Sequence, residues 1–221
     1  MSIPKRSKLT PRFIAVEGPI GVGKTSLARR LADTFETDLL LEGAAENPFL
    51  ERFYEDPRRG ALPAQLFFLF QRARQMEAMR QADLFQPVRV ADFLMEKDRL
   101  FAELTLDAEE LKLYEQVYDH VTIDAPVPDL VIYLQAPEDV LLKRIARRGI
   151  KYERRIDAGY LRRISEAYAR LFLDYDAAPL LIVNAASIDL VDNERDYEAL
   201  LEQIHLTRTG RNYFNPMAAV I

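Results

Sequence analysis

The sequence predicts an α/β protein with a doubly wound, five-stranded parallel sheet and helices on both faces. Three observations support this prediction. Short aliphatic runs recur along the 221 residues, each run is nearly continuous in apolar residues, and helical patterns lie between the runs. Strands that are buried on both faces of a parallel sheet have this uninterrupted apolar character. The alternation of strand and helix is typical of doubly wound folds.

The predicted elements follow in chain order. The strands are expected at residues 12–16, 38–42, 87–93, 128–135 and 180–184. Long amphipathic helices are expected at 64–81 and 107–121, the second with Asp107 as its N-cap. These elements indicate one domain from residue 12 to residue 206. Residues 1–11 are expected to be a flexible tail, and residues 207–221, which have no periodicity, a tail or a surface strap.

The composition excludes several classes of protein. The apolar fraction of 49% and the charged fraction of 29% are those of an ordinary globular protein. A formal net charge of −5 gives no global basic field, so neither nucleic acid nor a membrane surface is expected as a partner. The chain has no cysteine, which excludes disulfides, thiolate metal sites and a cysteine nucleophile. We find neither a signal-peptide pattern nor a run of about 18 apolar residues, so we expect a cytoplasmic protein.

A phosphate-binding loop is the strongest motif in the chain. GPIGVGKT has the G-x-x-x-x-G-K-[ST] spacing and lies between a predicted strand and a helix. Glycines allow successive backbone N–H groups to point inward as an anion nest, and the following helix adds the positive end of its dipole. Lys24 is expected to reach the outer phosphates, and the Thr25 hydroxyl can ligate Mg²⁺. The expected nucleotide-binding residues are Gly18, Gly21, Gly23, Lys24, Thr25 and Ser26.

Two carboxylates stand at the carboxyl ends of predicted strands, where open parallel sheets place their active sites. Glu42 ends the second strand and could accept a hydroxyl proton while orienting an attacking oxygen. A helix-capping or surface glutamate also fits its position. Asp92 closes the third strand and suits Mg²⁺, which prefers a few carboxylates together with phosphates and waters. A simple charged strand terminus fits Asp92 as well.

An arginine-rich lid is predicted near residues 147–156, within the basic run 143–155. Arg144 and Arg148 lie one helical turn apart on one face, and Gly149 follows as a helix stop. Arginines carried over a transferring phosphoryl group would stabilise charge in the transition state and exclude water. The alternative is a solvated helix face, but like charges at this density repel one another unless an anion binds there.

These segments together resemble the deoxynucleoside kinase family, especially its bacterial deoxyadenosine/deoxyguanosine kinase branch. The matching pieces are FIAVEGPIGVGKTSLARRLA, LLLEGAAENPFLERFYEDP, VADFLMEKDRLFAELTL and PDLVIYLQAPEDVLLKRIARRGIKYERRI, in family order over about residues 12–205. The E-x(4)-NPFL and RRGIKYE stretches are more specific than the phosphate loop. The resemblance implies a P-loop kinase fold and transfer of a phosphoryl group from Mg·ATP to the 5′-hydroxyl of a deoxynucleoside, with a purine preferred.

The resemblance also implies roles for individual residues. It makes Glu42 the base and places Asp92 at the acidic position of the family's Glu/Asp-Arg-Ser motif. Phe93 and Leu94 follow Asp92 here, so the arginine and serine of that motif are missing, and Lys97 is our candidate for the cation that supports the reacting oxygen. Glu153 matches the family's lid acid, which resembles a ligand for the sugar 3′-hydroxyl.

Candidate nucleoside contacts lie in the segment after Glu42. Tyr54, Gln65 and Arg72 offer a hydroxyl for the sugar, an amide for a base edge and a cation. Gln65 equally fits an ordinary polar position on an amphipathic helix. Family members are usually dimers through long helices, which implies a homodimer through the predicted helices at 64–81 and 107–121.

Two other functions remain open from the sequence. A nucleoside monophosphate kinase of the thymidylate kinase type shares the loop and the arginine lid, but it needs a second cationic site for the acceptor's phosphate. Candidates for that site are Arg52, Arg58, Arg59 and Arg72, although no arginine adjoins the end of strand two. A nucleotide-dependent switch is the remote alternative, because no base-selective N/T-K-x-D type motif is found.

Overall fold

The structure, a computed structural model, describes residues 11–81, 89–121, 125–186, 188–190 and 193–215. Its strands are β1 (Phe13–Glu17), β2 (Asp38–Leu40), β3 (Arg89–Ala91), β4 (Leu130–Gln135), β5 (Leu180–Asn184) and β6 (Arg211–Phe214). Its helices are α1 (Lys24–Phe35), α2 (Leu50–Glu55), α3 (Pro57–Gln81), α4 (Lys97–Thr105), α5 (Ala108–Val121), α6 (Glu138–Arg148), α7 (Ala158–Leu173) and α8 (Glu194–Leu206). Short 3₁₀ turns lie at Ala44–Glu46 and Tyr152–Arg155.

The described strands form one sheet in the order β2-β3-β1-β4-β5-β6, and every neighbouring pair is parallel. The predicted doubly wound α/β fold is therefore confirmed. All five predicted strands are present, although β2 and β3 are shorter than expected, and Pro87 and Val88 of the third predicted strand lie outside the described residues.

The expected strand count of five was wrong, because a sixth strand lies in the segment expected to be a tail or strap. Residues 211–214 pair with β5 along one edge of the sheet. Only four residues long and half exposed, this strand has too few apolar positions for a sequence pattern to reveal it. Residues 216–221 lie outside the described part of the chain, as do residues 1–10 of the expected N-terminal tail.

Strand β1 is central, and alternating residues of this strand serve both faces of the sheet. Ile14 and Val16 join the core with α1, α6 and α8, whereas Ala15 joins the core with α4 and α7. Phe13 packs with α3 and α5. Because side chains alternate across a strand, one strand is covered on both sides, which explains its uninterrupted apolar sequence.

The two long predicted helices are confirmed, with one change of boundary. Helix α3 begins at Pro57, earlier than the expected residue 64, since proline suits the first turn of a helix. Helix α5 begins directly after Asp107, whose Oδ1 accepts hydrogen bonds from the backbone N–H groups of Glu109 (3.0 Å) and Glu110 (2.9 Å). Asp107 is thus the expected N-cap.

Among the helices that the structure describes, none combines the length and the apolar character needed to span a bilayer.

Candidate active site

The phosphate loop follows β1 and ends where α1 begins at Lys24. Gly18, Gly21 and Gly23 all have positive φ angles. At Gly18 the φ of +145° and the carbonyl oxygen of Leu134, 2.4 Å from the position of an added Cβ, leave room only for glycine. The loop therefore has the curled backbone that an anion nest requires.

Lys24 donates hydrogen bonds from Nζ to the carbonyl oxygens of Gly18 (2.7 Å) and Pro19 (3.3 Å). Its ammonium thus lies inside the loop. Burial lowers the pKa of Lys24, and the nearby charge of Lys97 lowers it further. Thr25 and Ser26, which follow on the first turn of α1, are exposed.

A cavity of about 670 Å³ opens beside the loop. It is bounded by the loop, by residues 188–190 and by one face of α6 that carries Lys143, Arg144, Arg147 and Arg148. Sequence reasoning singled out two of these four cations. Lys143 and Arg147 were not singled out, although they too lie one helical turn apart.

Asp92 joins the phosphate loop to the end of β2. Its Oδ2 accepts a hydrogen bond from the Thr25 hydroxyl, and its Oδ1 accepts one from the backbone N–H of Glu42 at 2.7 Å. Asp92 follows β3, which lies between β1 and β2 in the sheet, so the carboxyl ends of three parallel strands meet at this carboxylate. Asp92 and Thr25, the two candidate metal ligands from the sequence, are thereby in contact.

Glu42 lies between two cations. Its Oε2 accepts a hydrogen bond from Lys97 Nζ at 2.9 Å, and its Oε1 pairs with the guanidinium of Arg72. Burial alone would raise the pKa of Glu42, but Lys97 and Arg72 outweigh burial and hold the pKa well below its usual range. The carboxylate is therefore ionised and fixed in orientation.

Arg72 also pairs with Asp98, whose side chain is completely buried. Within the described part of the chain, Arg72 Nε and Asp98 Oδ2 are buried without a hydrogen-bond partner. Sequence reasoning missed Asp98, since it follows Lys97 in the dense run EKDR and no spacing marks it out. Gln65, also buried, donates from Nε2 to the Thr105 hydroxyl at 3.2 Å.

Glu17 is a further residue that sequence reasoning missed. It ends β1, its side chain is fully buried, and it accepts hydrogen bonds from two backbone N–H groups. The signal was present, because a glutamate that interrupts an otherwise apolar strand directly before a phosphate loop is a buried charge that needs partners.

The two arginines chosen from α6 are held in different ways. Arg144 donates to the carbonyl oxygens of Val22 (3.0 Å) and Ala185 (2.8 Å), so it ties the phosphate loop to the segment after β5. Arg148, the last residue of α6, makes a two-point pair with Glu153 through Nε (3.0 Å) and Nη2 (2.6 Å). Gly149, with a φ of 73°, caps the helix as predicted.

The predicted lid segment, residues 147–156, also contacts α2. The ring of Tyr152 stacks on Tyr54 with centroids 5.6 Å apart, and Arg155 pairs with Glu55 at 3.0 Å. Burial raises the pKa of the Tyr54 hydroxyl, which lies near Glu153. Tyr54, Glu153 and Arg148 are therefore brought together, whereas Gln65 lies deeper, against α4.

A match to a family model shows which protein family this chain belongs to. The family model "Deoxynucleoside kinase" matches residues 14–207, which is most of the chain. The chain belongs to the deoxynucleoside kinase family. The resemblance drawn from the sequence is confirmed, and the enzyme class that the family carries is that of a phosphotransferase.

Relatives in the family include curated bacterial proteins. The deoxyguanosine kinase of Bacillus subtilis (strain 168) is 35% identical over 201 residues, which cover 88% of this chain and 97% of the relative. The deoxyadenosine kinase of Lactobacillus acidophilus is 30% identical over 207 residues, covering 87% of this chain and 94% of the relative. The match thus extends along nearly the full length of each protein.

Solved structures show the same fold. Deoxyadenosine kinase from M. mycoides, with the products dCMP and a flexible dCDP bound, superimposes with a TM-score of 0.76 at 21% identity, covering 88% of this chain and 99% of that one. The same enzyme with bound dATP gives a TM-score of 0.74 at 22% identity, covering 87% and 98%. At this level of identity the likeness concerns the fold.

Proposed function

We propose that this deoxynucleoside kinase family member transfers the γ-phosphoryl group of ATP to the 5′-hydroxyl of a purine deoxynucleoside. The observation that carries the proposal is the position of Glu42. Asp92, which also meets Thr25 of the phosphate loop, holds the backbone of Glu42, and two cations hold its side chain. An ionised carboxylate is thereby fixed next to a phosphate site, which is the arrangement that transfer to a hydroxyl requires.

The donor half of the site consists of the phosphate loop and the cations of α6. Lys24, which donates to carbonyl oxygens of its own loop, would exchange those bonds for the β- and γ-phosphate oxygens of ATP. Arg147 and Arg148 border the same cavity. Their charges favour the phosphates and compensate for the charge that spreads over the phosphoryl group during transfer.

Thr25 and Asp92 fit Mg²⁺. A hydroxyl and a carboxylate in contact are the kind of sparse oxygen set that Mg²⁺ combines with phosphates and waters. When bound, the ion neutralises charge on the phosphates. The other oxygen of Asp92 would still accept the hydrogen bond from the Glu42 N–H. The distance between the phosphate loop and Glu42 would therefore be preserved.

Glu42 orients the 5′-hydroxyl and receives its proton. A carboxylate whose pKa is held low is a weak base, but phosphoryl transfer passes through a loose transition state that asks for little proton removal at the start. The hydroxyl would donate to Glu42, which aims the oxygen lone pair at the phosphorus. Lys97, 2.9 Å from Glu42, is positioned to stabilise negative charge on the same oxygen and so replaces the arginine that is missing after Asp92.

The acceptor base is proposed to bind at Arg72 and Asp98. Arg72 Nε is a buried donor and Asp98 Oδ2 a buried acceptor, and both are without partners in the described residues. A purine edge offers the complement, an acceptor beside a donor: N7 and the 6-amino group of adenine, or O6 and N1–H of guanine. The names of the two curated relatives, deoxyguanosine kinase and deoxyadenosine kinase, also favour a purine. Tyr54 and Glu153 would hold the sugar, and Gln65 would support the base pocket.

The two alternative functions are less well supported. Arg52, Arg58 and Arg59 are exposed, and Arg72 is neutralised by two carboxylates, so these candidates supply no cationic pocket for an acceptor's phosphate. A nucleoside monophosphate kinase is therefore not favoured. The switch is not favoured either, because the chain belongs to a kinase family.

We also propose a homodimer and a cytoplasmic location, where ATP is available. Helices α3 and α5 border a groove of about 770 Å³ that includes Phe67 and Met76, with Phe70 43% exposed beside them. A second copy would cover the Phe70 ring and the apolar part of this groove, whose lining also includes Arg74, Glu77 and Arg80. Light scattering after size exclusion measures the mass directly, and Phe70→Glu should shift a dimer towards the monomer.

The test of function is a substrate panel. Purified protein is incubated with Mg·ATP and each of the four deoxynucleosides, and separately with their monophosphates, and ADP and the products are quantified. We expect turnover with deoxyadenosine or deoxyguanosine. Turnover with monophosphates alone would refute the proposal. Glu42→Gln should bind ATP as the parent does yet lose most turnover, whereas Glu46→Gln, in the same segment but exposed, should stay active.

A further inference from the structure

Glu17 is a charged side chain at the end of the central strand, and it is completely buried. An ionised carboxylate in such a place costs free energy unless several donors surround it. Asp129, which directly precedes β4, accepts hydrogen bonds from the N–H groups of Arg12 and Phe13 at the opposite end of β1, and it is exposed. The buried position of Glu17 therefore calls for a functional explanation.

The two oxygens of Glu17 contact three different parts of the site. Oε2 accepts hydrogen bonds from the Gly18 N–H (2.8 Å) and the Tyr168 hydroxyl (2.7 Å). Oε1 accepts one from the Leu94 N–H (2.9 Å) and lies 3.4 Å from Lys97 Nζ. One carboxylate thus links the start of the phosphate loop, the segment between β3 and α4, and helix α7.

Lys97 lies between two carboxylates. Its Nζ is 2.9 Å from Glu42 Oε2 and 3.4 Å from Glu17 Oε1, and its side chain is 3% exposed. The Lys97 ammonium is therefore attracted by both carboxylates, Glu17 and Glu42. With Glu17 neutral, Lys97 would be attracted by Glu42 alone, and it would compete with the substrate hydroxyl for that carboxylate.

We propose that Glu17 is a positioning residue for phosphoryl transfer, which holds the Lys97 ammonium between the phosphate loop and Glu42. It acts through Lys97 and touches no reacting atom. This inference rests on the proposed function, in which Lys97 stabilises the attacking oxygen. Glu17 also fixes the Gly18 N–H and the Leu94 N–H, so it sets the distance between the donor loop and the segment that carries Lys97.

Only a carboxylate can serve all four donors. A glutamine has one oxygen and an amide NH₂, so one orientation places the NH₂ against Gly18 and Tyr168 and the other places it against Leu94 and Lys97. Glu17→Gln should therefore lower kcat by about 10- to 100-fold, by analogy with the loss of an outer partner of a metal ligand. The KM for ATP should change by less than about 3-fold, since Lys24 keeps its own loop contacts.

The experiment is a double-mutant cycle with Glu17→Gln, Lys97→Met and the double variant, measured as kcat with deoxyadenosine or deoxyguanosine. If Glu17 acts through Lys97, the loss caused by Glu17→Gln should largely disappear in the Lys97→Met background. Multiplicative losses across the cycle would overturn the proposal. Asp129→Asn, which neutralises the carboxylate at the other end of β1, should leave kcat unchanged; a loss equal to that of Glu17→Gln would also overturn it.

Folding is followed in the same samples by thermal unfolding. If Glu17→Gln does not fold, Glu17→Asp retains the charge but draws the carboxylate away from Lys97, and the same cycle is run with it under the same criterion. The proposed function fails separately, because it fails when the parent enzyme does not phosphorylate deoxynucleosides. If the parent enzyme is active but the losses across the cycle are multiplicative, only the proposed role of Glu17 is refuted.

Discussion

The buried pair of Arg72 and Asp98 yields a quantitative prediction. The Arg72 side chain is 3% exposed and that of Asp98 is 0% exposed. Arg72→Met keeps much of the apolar stem but leaves the Asp98 carboxylate buried without its cation. Removing one partner of a buried ion pair costs about 3–5 kcal/mol. Glu42, the other partner of Arg72, retains Lys97, so we expect no additional cost there.

Urea unfolding of the ligand-free protein measures this effect. With a slope of roughly 2–3 kcal/mol per molar urea, a loss of about 3–5 kcal/mol moves the midpoint down by about 1–2.5 M. Adding Asp98→Asn to Arg72→Met should recover at least half of the lost stability, because the unpaired charge is then absent. The matched control is Arg99→Met, which removes an exposed pair with Asp119 and a cation–π contact with Tyr118 and should cost less than about 2 kcal/mol.

Two results would refute this reasoning. A loss below about 1 kcal/mol for Arg72→Met would mean that the Asp98 carboxylate is not an uncompensated buried charge. A double variant that is as unstable as the sum of the two single variants would mean that the two side chains do not depend on each other.

Three further predictions concern the site. Gly18→Ala should weaken ATP binding by about 10- to 100-fold, because its φ of +145° and the nearby Leu134 carbonyl force strain of about 1–3 kcal/mol; calorimetry showing unchanged affinity would contradict this. Lys97→Met should raise the pKa of Glu42, since a cation that lowers it is removed, so the acid limb of the kcat/KM profile should move to higher pH; an unmoved limb would exclude that coupling. Asp92→Asn should raise the Mg²⁺ concentration needed for half-maximal rate, and an unaltered requirement would remove Asp92 from the metal site.

Much of the fold was predictable because a parallel sheet is buried on both faces. β1, β4 and β5 carry unbroken apolar runs, and this pattern needs no knowledge of distant contacts. β6 was not predictable, since a short edge strand has one neighbour and alternates exposed with half-buried residues. Its assignment depends on pairing with β5, from which helix α8 separates it along the chain.

The candidate site also contains residues that the sequence could predict and residues that it could not. The phosphate loop, Glu42 and Asp92 are marked by motif or by strand ends, whereas Asp98 is marked only by its contact with Arg72 across a helix interface. Charge pairing of this kind is a property of the folded chain, because it depends on which side chains are buried together. Glu17 lies between the two cases, with a sequence signal that pointed to burial but not to its partners.

The stack of Tyr152 on Tyr54 has a consequence for how firmly residues 147–156 are attached to α2. An aromatic pair contributes about 0.5–1.5 kcal/mol and a half-exposed ion pair such as Arg155–Glu55 about 0.2–1 kcal/mol, so these two contacts fasten residues 147–156 to α2 by only about 1–2.5 kcal/mol. In the proposal that residues 147–156 form a lid, a difference of this size corresponds to on the order of 1–15% of molecules with the two segments apart. For the proposed lid, opening would then need no bound ligand, and a nucleoside would shift an equilibrium that already exists in the free protein.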